Sequence, residues 1–425
     1  MKIILRYRFL SELYAQFLVG NWIAVRRTLI KLVLKFINIL LLPMGLFLTL
    51  IIRVISPFFL VRINVLISER IGHYATNTEL YLCERDAGIN VPRKPHIDLW
   101  YNNWPICNSQ LGAMWARILH VGPRWLLGPV DLVNSFFPGG ATHQINPPGI
   151  DRNNFLERFP AHLWLLPDED VRGEAALRDL GIPDGAPFVC LHIRDNGYLK
   201  KMLPWRQWDY HDYRDCNVQN YILAAQKLVE RGYYVIRMGV FVNEAMNVSH
   251  PMIIDYAVNG KRSDFMDIYL CAKCAFFVSN STGIDAVPWA LRKPIVYVDM
   301  VPLGEMSTSS SKFIATTKKH WLKSEKRFMT FCEIFDSGVA RFVHSEPYQS
   351  RGIDLIESTP EEIADVVLEM EERIKGTYQT TEEDEDLQDQ FWSFYPKYDF
   401  NGDLSGEIRS RVGADFLRRG GGGRH

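Results

Sequence analysis

Short runs of β-branched and aromatic residues alternate with segments of helical periodicity along the chain from about residue 63 onward. In the second half this alternation is regular, which is typical of βαβ units and a parallel sheet. The strands there are almost entirely apolar, as a sheet covered by helices on both faces requires. The predicted elements are strand 187–195, helix 217–232, strand 233–239, helix 263–274, strand 275–280, helix 283–293 and strand 294–299.

The first half of the chain shows the same alternation in a less regular form, and a polar, Gly/Pro-rich stretch at 166–188 separates the halves. Two such halves predict an α/β protein with two Rossmann-like domains that face each other across a cleft. We expect the first domain over 63–178 and the second over 179–376. After them, 377–425 should comprise an acidic connector and an amphipathic helix that returns to the first domain.

The N-terminal part differs in kind, because residues 36–52 form an uncharged apolar run with basic residues on both sides. Its length is at the lower limit of the roughly 17–25 residues that a spanning helix needs, and Pro43 and Gly45 interrupt it. Cations at both ends favour a segment that lies on an anionic membrane surface, or enters and leaves it. We therefore interpret 1–62 as a hydrophobic, helical, membrane-associating segment. The alternative is a buried hairpin of the first domain.

Composition excludes some classes of function. The chain has 48 basic and 49 acidic residues, so it offers no dominant basic surface for nucleic acid. Its seven cysteines are odd in number and scattered, which is typical of a cytoplasmic protein rather than a disulfide framework. Cys271 and Cys274 form a single CxxC pair, for which two core thiols are a better interpretation than a zinc or redox site.

The strand at 187–195 ends in His192, Arg194 and Asp195. Alternate side chains of a strand lie on one face, so His192 and Arg194 should point the same way at its carboxyl end. A buried arginine needs an anion, and a guanidinium matches the shape of a diphosphate. The alternative is an ion pair between Arg194 and a carboxylate of the protein itself.

A second candidate lies in the stretch FVSNSTGID, where Ser281, Thr282 and Gly283 stand between a predicted strand and a predicted helix. Ligands of open parallel sheets bind beyond the carboxyl ends of the strands. A helix that begins with these residues would offer a phosphate backbone N–H groups, two hydroxyls and no bulky side chain. We expect this turn to border the same cleft as Arg194, with Asp285 on a ribose hydroxyl. The alternative is an ordinary helix cap.

The segment WDYHDYRDCN, residues 208–217, is dense in titratable and aromatic groups. His211 and Asp212 are therefore candidates for acid–base catalysis or for contacts to sugar hydroxyls. Asp215 or Asn217 would in any case cap the helix that follows.

Two helix starts supply the remaining candidates. In the first domain, His73 and Asn77 would meet an acceptor, although capping of the helix by Thr76 or Asn77 is an equal alternative. In the second domain, Ser263 would contact the donor, although a helix cap is the favoured interpretation there.

Several motifs are absent from the sequence. It has no G-x-x-x-x-G-K-[ST] and no G-x-G-x-x-G, which argues against a P-loop ATPase and against an ordinary nicotinamide-dependent dehydrogenase. No D-x-D follows a predicted strand, so we expect a site that needs no metal and no cofactor beyond the substrate itself.

Several of these segments together resemble a bacterial family of glycosyltransferases linked to surface-polysaccharide synthesis. The resemblance covers roughly residues 60 to 418, and it implies a GT-B-like fold and a nucleotide-sugar donor. The segments that carry it are 70–82, 210–215, 232–239, 276–303 and 406–417.

The strand end His192-Ile193-Arg194-Asp195 is also similar to the His-x-Arg motif of GT-B fucosyltransferases. That similarity implies that Arg194 contacts the donor diphosphate and stabilises the leaving group, with His192 in support. Asp195 stands where those enzymes often carry a second basic residue, so GDP-fucose is not implied.

The resulting hypothesis is a metal-independent glycosyltransferase of hexosyl or deoxyhexosyl type. It would act at the inner face of the bacterial cytoplasmic membrane on a saccharide or lipid-linked acceptor of polysaccharide or lipopolysaccharide synthesis. His73, Asp195, His211 and Asp212 are the candidates for the general base. The alternatives are a nucleotide-sugar epimerase of the same architecture and a non-catalytic, membrane-tethered scaffold.

Overall fold

The structure is a computed structural model, and it describes residues 22–197, 209–395 and 406–420. The chain divides into two compact units: unit 1 comprises the described residues up to 149, and unit 2 those from 150 onward. Both units contain parallel strands connected by helices, so the predicted α/β class is confirmed. The cleft between two domains stays a prediction.

Unit 1 is built on a three-stranded parallel sheet in the order β1–β2–β3. Its core consists of Val61 and Ile63 from β1, Tyr101 from β2, and Leu127 and Val130 from helix α5. The elements of unit 1 are α1 (Trp22–Leu40), α2 (Leu42–Ile55), β1 (Leu60–Leu66), α3 (Ile71–Asp86), β2 (His96–Asn102), α4 (Ser109–Ala116), β3 (His120–Val121), α5 (Arg124–Asn134) and a 3-10 turn (Gly140–His143).

The apolar N-terminal segment forms α1 and α2, which meet at a bend of 58°. One face of α2 packs on α5, where a Cβ added to Gly45 would lie 2.8 Å from the carbonyl of Pro129. The opposite face is open to solvent, and Phe47 and Val54 are 64% and 76% exposed. Among the helices that the structure describes, none alone is long and apolar enough to cross a membrane, although residues 28–40 and 42–55 meet that criterion as a bent pair.

Unit 2 is built on a seven-stranded parallel sheet in the order β13–β9–β8–β7–β4–β5–β6. The strands and helices predicted for 187–299 are all present, with a 3-10 turn opening the first of the helices. The β4, β5 and β7 residues Val189, Leu191, Val235 and Val278 are fully buried, as the apolar character of these strands predicts. Cys271 and Cys274 are also buried, which agrees with core thiols.

The elements of unit 2 are α6 (Phe155–Arg158), α7 (Pro167–Asp179), β4 (Phe188–His192), α8 (Ile222–Glu230), β5 (Tyr234–Arg237), β6 (Ile253–Asp255), α9 (Asp264–Lys273), β7 (Phe277–Ser279), α10 (Ala286–Ala290), β8 (Ile295–Met300), β9 (Phe313–Thr317), β10 (Lys319–Leu322), β11 (Arg327–Phe328), α11 (Phe331–Asp336), α12 (Ser345–Ser350), β12 (Ile353–Ile356), α13 (Pro360–Lys375), α14 (Glu382–Phe394), β13 (Arg411–Val412) and α15 (Ala414–Arg418). The 3-10 turns are Asp209–Arg214, Val218–Tyr221, Leu303–Glu305 and Val339–Arg341. Strands β11, β10 and β12 form a separate antiparallel sheet, which the sequence pattern does not predict.

The predicted return of the C-terminal segment to the first domain is wrong for residues 406–420. There β13 adds an edge strand beside β9 of unit 2. The side-chain amide of Gln388 donates to the carbonyl of Val412 (2.7 Å) and accepts from its N–H (3.0 Å). The acidic run 381–390, interpreted from sequence as a connector or a solvated face, forms most of α14, and this helix holds the edge strand in place.

The polar stretch that suggested a boundary at 178 contains helix α7, and this helix packs on α9 of the same unit. Lys273 of α9 lies 2.7 Å from the carboxylate of Asp170. Gly173 lies against the buried ring of Tyr269, where an added Cβ would be 2.0 Å from a ring carbon. Helix α7 therefore belongs to unit 2, and the boundary between the units falls near residue 150. Gly173, which resembles a linker residue in the sequence, makes room for the ring of Tyr269.

We predict that Gly173→Ala destabilises unit 2 by about 1–3 kcal/mol, because the new methyl group overpacks against Tyr269. The matched control is Gly149→Ala, where an added Cβ meets no atom within 4 Å and the change should be nearly neutral. Urea unfolding monitored by tryptophan fluorescence measures both. Equal midpoints for the two variants would contradict the packing of α7 on α9.

Candidate functional site: the carboxyl ends of β4 and β7

The strand order β6–β5–β4–β7–β8–β9 in unit 2 is that of doubly wound nucleotide-binding sheets. After β4 the chain proceeds to one side of the sheet through β5 and β6, and it then returns to β7 on the other side of β4. Such a reversal opens a crevice beyond the carboxyl ends of the two strands, where ligands of open α/β sheets bind. His192 ends β4 beside Ser279, which ends β7.

The structure brings together the two stretches that the sequence singled out. The hydroxyl of Thr282 lies 3.1 Å from Nδ1 of His192. Burial, with Arg237 and Arg194 as nearby cations, lowers the pKa of His192 to about 4. His192 is therefore neutral at physiological pH, and it contributes a polar contact rather than a positive charge.

Asn280 connects these strand ends. It is 2% exposed, and its side-chain oxygen accepts from the backbone N–H of Arg194 (3.1 Å). Its side-chain nitrogen donates to the Tyr221 hydroxyl and to the Val298 carbonyl (2.9 Å). One side chain thus fixes the carboxyl ends of β4, β7 and β8 with respect to each other.

The predicted phosphate cradle at Ser281, Thr282 and Gly283 is wrong in its geometry. Helix α10 begins only at Ala286, and it has five residues. The N–H of Thr282 donates to the carboxylate of Asp285 (2.6 Å), and the same carboxylate accepts from the Ser279 hydroxyl (2.8 Å). Asp285 therefore closes the turn through one of its carboxylate oxygens, as the capping alternative proposes, and its contact with a ribose stays a prediction.

The positive charge in the crevice comes from two arginines. Nε of Arg194 lies 3.4 Å from Oδ1 of Asp215, so the ion pair considered as the alternative is present. Arg214 donates to the carbonyl of Ser281. Burial and then the neighbouring Arg214 lower the pKa of Arg194. Arg214 is thus a second cation beside the Arg194–Asp215 ion pair, at the carboxyl end of the central strand.

Asp215 belongs to this cluster. Burial raises its pKa to about 6, against the effect of Arg194, which lowers it. The carboxylate of Asp215 therefore changes its charge at about pH 6.

The predicted acid–base residues lie close to the two arginines. Burial, followed by Arg194 and Arg214, lowers the pKa of His211 to about 4, so its ring is neutral at physiological pH. Asp212 accepts from the side chain of Asn196 (3.3 Å). The two oxygens of Asp195 accept from the backbone N–H groups of Gly197 (2.9 Å) and Asn243 (2.8 Å), which makes Asp195 a structural residue of the loop.

The other predicted residues belong to helices α9 and α3. Ser263 is the N-cap of α9, and it accepts from the N–H of Met266 at 3.1 Å. In unit 1, His73 and Asn77 lie on α3, with His73 Nδ1 3.4 Å from the Asn77 side-chain oxygen. Their contact with a donor or an acceptor stays a prediction.

Sequence reasoning missed Arg214 and Arg237. Arg214 lies inside the segment 208–217, whose acidic, aromatic and histidine side chains attracted attention instead. Arg237 ends β5 and is fully buried. The available signal was an arginine at the end of an apolar strand, which is the same signal that identified Arg194.

No family model and no curated protein sequence matches the chain. Among solved structures it is similar to the E. coli ADP-heptose LPS heptosyltransferase II, with 14% identity over 56% of this chain and 84% of that chain and a TM-score of 0.33. It is also similar to the family 9 glycosyl transferase from Veillonella parvula DSM 2008, with 12% identity over 56% of this chain and 80% of that chain and a TM-score of 0.36.

A third similar structure is a proposed UDP-N-acetylglucosamine 2-epimerase from Listeria monocytogenes, with 10% identity over 76% of this chain and 98% of that chain and a TM-score of 0.25.

We predict that sulfate, which keeps its charge throughout the range, binds this site several-fold more tightly as the pH falls through about 6. The folded-state pKa of Asp215 lies above its unfolded value, so the carboxylate becomes neutral there and stops competing for Arg194. The charged groups that face Asp215 are Arg194, Asp212, Lys318 and Asp195. Thermal shifts against sulfate, with chloride as the ionic-strength control, measure the effect.

The variant Asp215→Asn should bind sulfate equally at both ends of this pH range, with the affinity of the protonated wild type. If Asp215→Asn keeps the full pH dependence, the titrating group is another residue and the assignment to Asp215 is wrong.

Proposed function

We propose that the protein is a glycosyltransferase with a nucleotide-sugar donor, whose diphosphate binds between Arg194 and Arg214. The observation that carries this proposal is the pair of neighbouring guanidiniums, of which Arg194 is paired with Asp215, at the point where the strand order reverses. Two adjacent buried cations repel each other, and an anion with two charged groups relieves that repulsion. The similarity to the His-x-Arg motif supports the same role for Arg194.

In the proposed reaction, the bond between the anomeric carbon and the diphosphate oxygen breaks while a hydroxyl oxygen of the acceptor bonds to that carbon. The nucleoside diphosphate leaves with the bonding electrons, and Arg194 and Arg214 stabilise the charge that develops on it. Such fixed charges are usually the largest contribution to catalysis.

The acceptor proton passes to a general base, for which the site offers His211 and Asp212. His211 has a neutral ring, but its lowered pKa makes it a weak base. Asp212 stands next to it, and Asn196 orients its carboxylate. Asp195 is less suited to this role, because both of its oxygens already accept backbone N–H groups.

We predict that a nucleoside diphosphate raises the melting temperature of the wild-type protein, and that Arg194→Ala and Arg214→Ala abolish the shift. A screen of UDP, GDP, CMP, dTDP and ADP by thermal shift identifies the base. Arg194→Lys keeps the charge without the fork and should bind weakly. The matched control is Arg178→Ala, which removes an exposed arginine paired with Asp184 and should bind normally. Absence of a shift with every nucleotide would refute the proposal.

Turnover separates the remaining alternatives. A transferase releases the nucleoside diphosphate faster when an acceptor is added, whereas an epimerase needs no acceptor and converts the nucleotide-sugar itself. A scaffold would keep its cellular role in the Arg194→Ala variant.

We further propose that unit 1 rests on the anionic inner face of a bacterial cytoplasmic membrane, where a lipid-linked acceptor would be presented. Many apolar side chains of α1 and α2 are exposed in the part of the chain that the structure describes, and α5 and the turns after α2 and α5 add more of them. Exposed members are Val33, Phe36, Ile39, Leu40, Phe47, Val54, Phe58, Trp125 and Phe136.

Charge favours a lipid surface over a second protein copy as the occupant. Between Leu13 and Ser68 the sequence contains no Asp or Glu, whereas Arg26 and Lys35 lie exposed on α1. Exposed apolar residues flanked by cations alone match the boundary between acyl chains and anionic headgroups. Two copies would place like charges against each other.

We predict that the full chain co-sediments with vesicles that contain phosphatidylglycerol and less with pure phosphatidylcholine vesicles. The double variant Phe47→Ser and Val54→Ser should weaken this binding at least several-fold through lost apolar insertion. The control is Val171→Ser, which removes an exposed apolar residue of unit 2. A dimer in light scattering that the double variant dissociates, without vesicle binding by the wild type, would show that a second copy covers this face instead.

A further inference from the structure

A cavity of about 350 Å³ lies at the carboxyl ends of β4 and β5 in unit 2. This volume is within the range of roughly 300–1,000 Å³ that small-molecule sites occupy. Asp215, the partner of Arg194, forms part of its wall, so the cavity adjoins the two-arginine cluster.

Arg237 in the cavity wall is fully buried, but only one of its guanidinium nitrogens has partners. Nη1 donates to the carboxylate of Asp255 (3.2 Å) and to the carbonyl of Glu244 (3.0 Å). Nε and Nη2 have no hydrogen-bond partner in the part of the chain that the structure describes. A buried N–H without a partner costs about 1–3 kcal/mol, so a ligand that accepts from it gains affinity.

The remaining wall is rich in acceptors. Asp212, Asn217, Asn243, Glu244 and Glu357 all line the cavity. Sugar hydroxyls donate to carboxylates and accept from N–H groups, so a ring with several hydroxyls satisfies both parts of the wall. An anionic ring would instead face several carboxylates, whose repulsion Arg237 cannot offset because Asp255 already neutralises it.

We propose that this cavity binds a neutral polyhydroxylated ring of the donor and rejects a ring that carries a carboxylate. This inference rests on the proposed function. Two rings of a nucleotide-sugar have this chemistry, namely the transferred sugar and the ribose. The site therefore favours a neutral or amino sugar over a uronic acid.

The test uses matched probes with the full chain: methyl glucoside, methyl glucuronide and methyl ribofuranoside, measured by saturation-transfer NMR. We expect binding of the glucoside to exceed that of the glucuronide at least about tenfold, since like charges in contact cost several kcal/mol. A stronger signal from the ribofuranoside than from the glucoside would assign the cavity to the ribose. Equal binding of the glucoside and the glucuronide, or no binding of any of the three probes, would overturn the proposal.

Two variants test which residues of the cavity wall cause the preference for neutral glycosides. Asp212→Asn combined with Glu244→Gln removes two charges of the wall and should bring glucuronide binding close to that of the glucoside. Arg237→Lys keeps the charge beside Asp255 but lacks the two unpartnered N–H groups, so it should lose affinity for both neutral glycosides. Unchanged binding in either variant would contradict the assignment.

The nucleotide screen distinguishes failure of this inference from failure of the proposed function. Nucleoside diphosphates depend on Arg194 and Arg214, whereas the glycosides depend on Arg237 and the acidic wall. A protein that binds the diphosphates and shows no preference among the glycosides would retain the first proposal and lose the second.

Discussion

The candidate site depends on the three hydrogen bonds of the Asn280 side chain. Its oxygen holds the backbone of Arg194, and its nitrogen holds the Tyr221 hydroxyl and the Val298 carbonyl. The group is almost completely buried, so each of these bonds forms in a medium where a missing partner costs about 1–3 kcal/mol. The ends of three strands consequently cannot move independently, and Arg194 leaves its strand in one fixed direction.

Rigid strand ends explain how two like charges can remain close together. Arg194 and Arg214 repel each other, and flexible chains would separate them. Arg214 instead donates a hydrogen bond to the carbonyl of Ser281. Ser281 has a φ of 57°, so the backbone turns sharply just after Asn280. A left-handed residue other than glycine is costly and persists only where its surroundings impose it. The folded backbone therefore holds Arg194 and Arg214 close together, although their charges repel each other.

The fold of unit 2 could be predicted from sequence because its strands are buried on both faces. Such strands are almost entirely apolar, and this composition is visible in the sequence. Val189 lies between Phe188 and Cys190, and Val278 follows Phe276 and Phe277, so both stand in apolar runs that favour a buried strand. The turn after β7 could not be predicted, because Asp285 competes for the Thr282 N–H and delays the helix. Such side-chain competition depends on distances that a linear pattern does not contain.

The boundary between the units and Arg214 were missed for different reasons. Gly173 looks like a linker residue until Tyr269 is seen to occupy the space above it. Arg214 lies in a 3-10 turn, where side chains follow neither the helical nor the strand period, so no pattern indicates its direction. Arg194 was predictable for the opposite reason, since it follows the last residues of a regular apolar strand.

The charges along the sheet edge also restrict which way a donor can lie. Positive charge is concentrated at Arg194 and Arg214, whereas the adjoining cavity carries Asp212, Glu244 and Glu357. A diphosphate placed in the cavity would meet carboxylates, and a neutral ring placed between the arginines would leave their charges unpaired. Both placements cost free energy, because the first sets like charges against each other and the second leaves two partly buried arginines without an anion. The edge thus selects a molecule that is anionic in one part and neutral in the next, and it selects one orientation of that molecule.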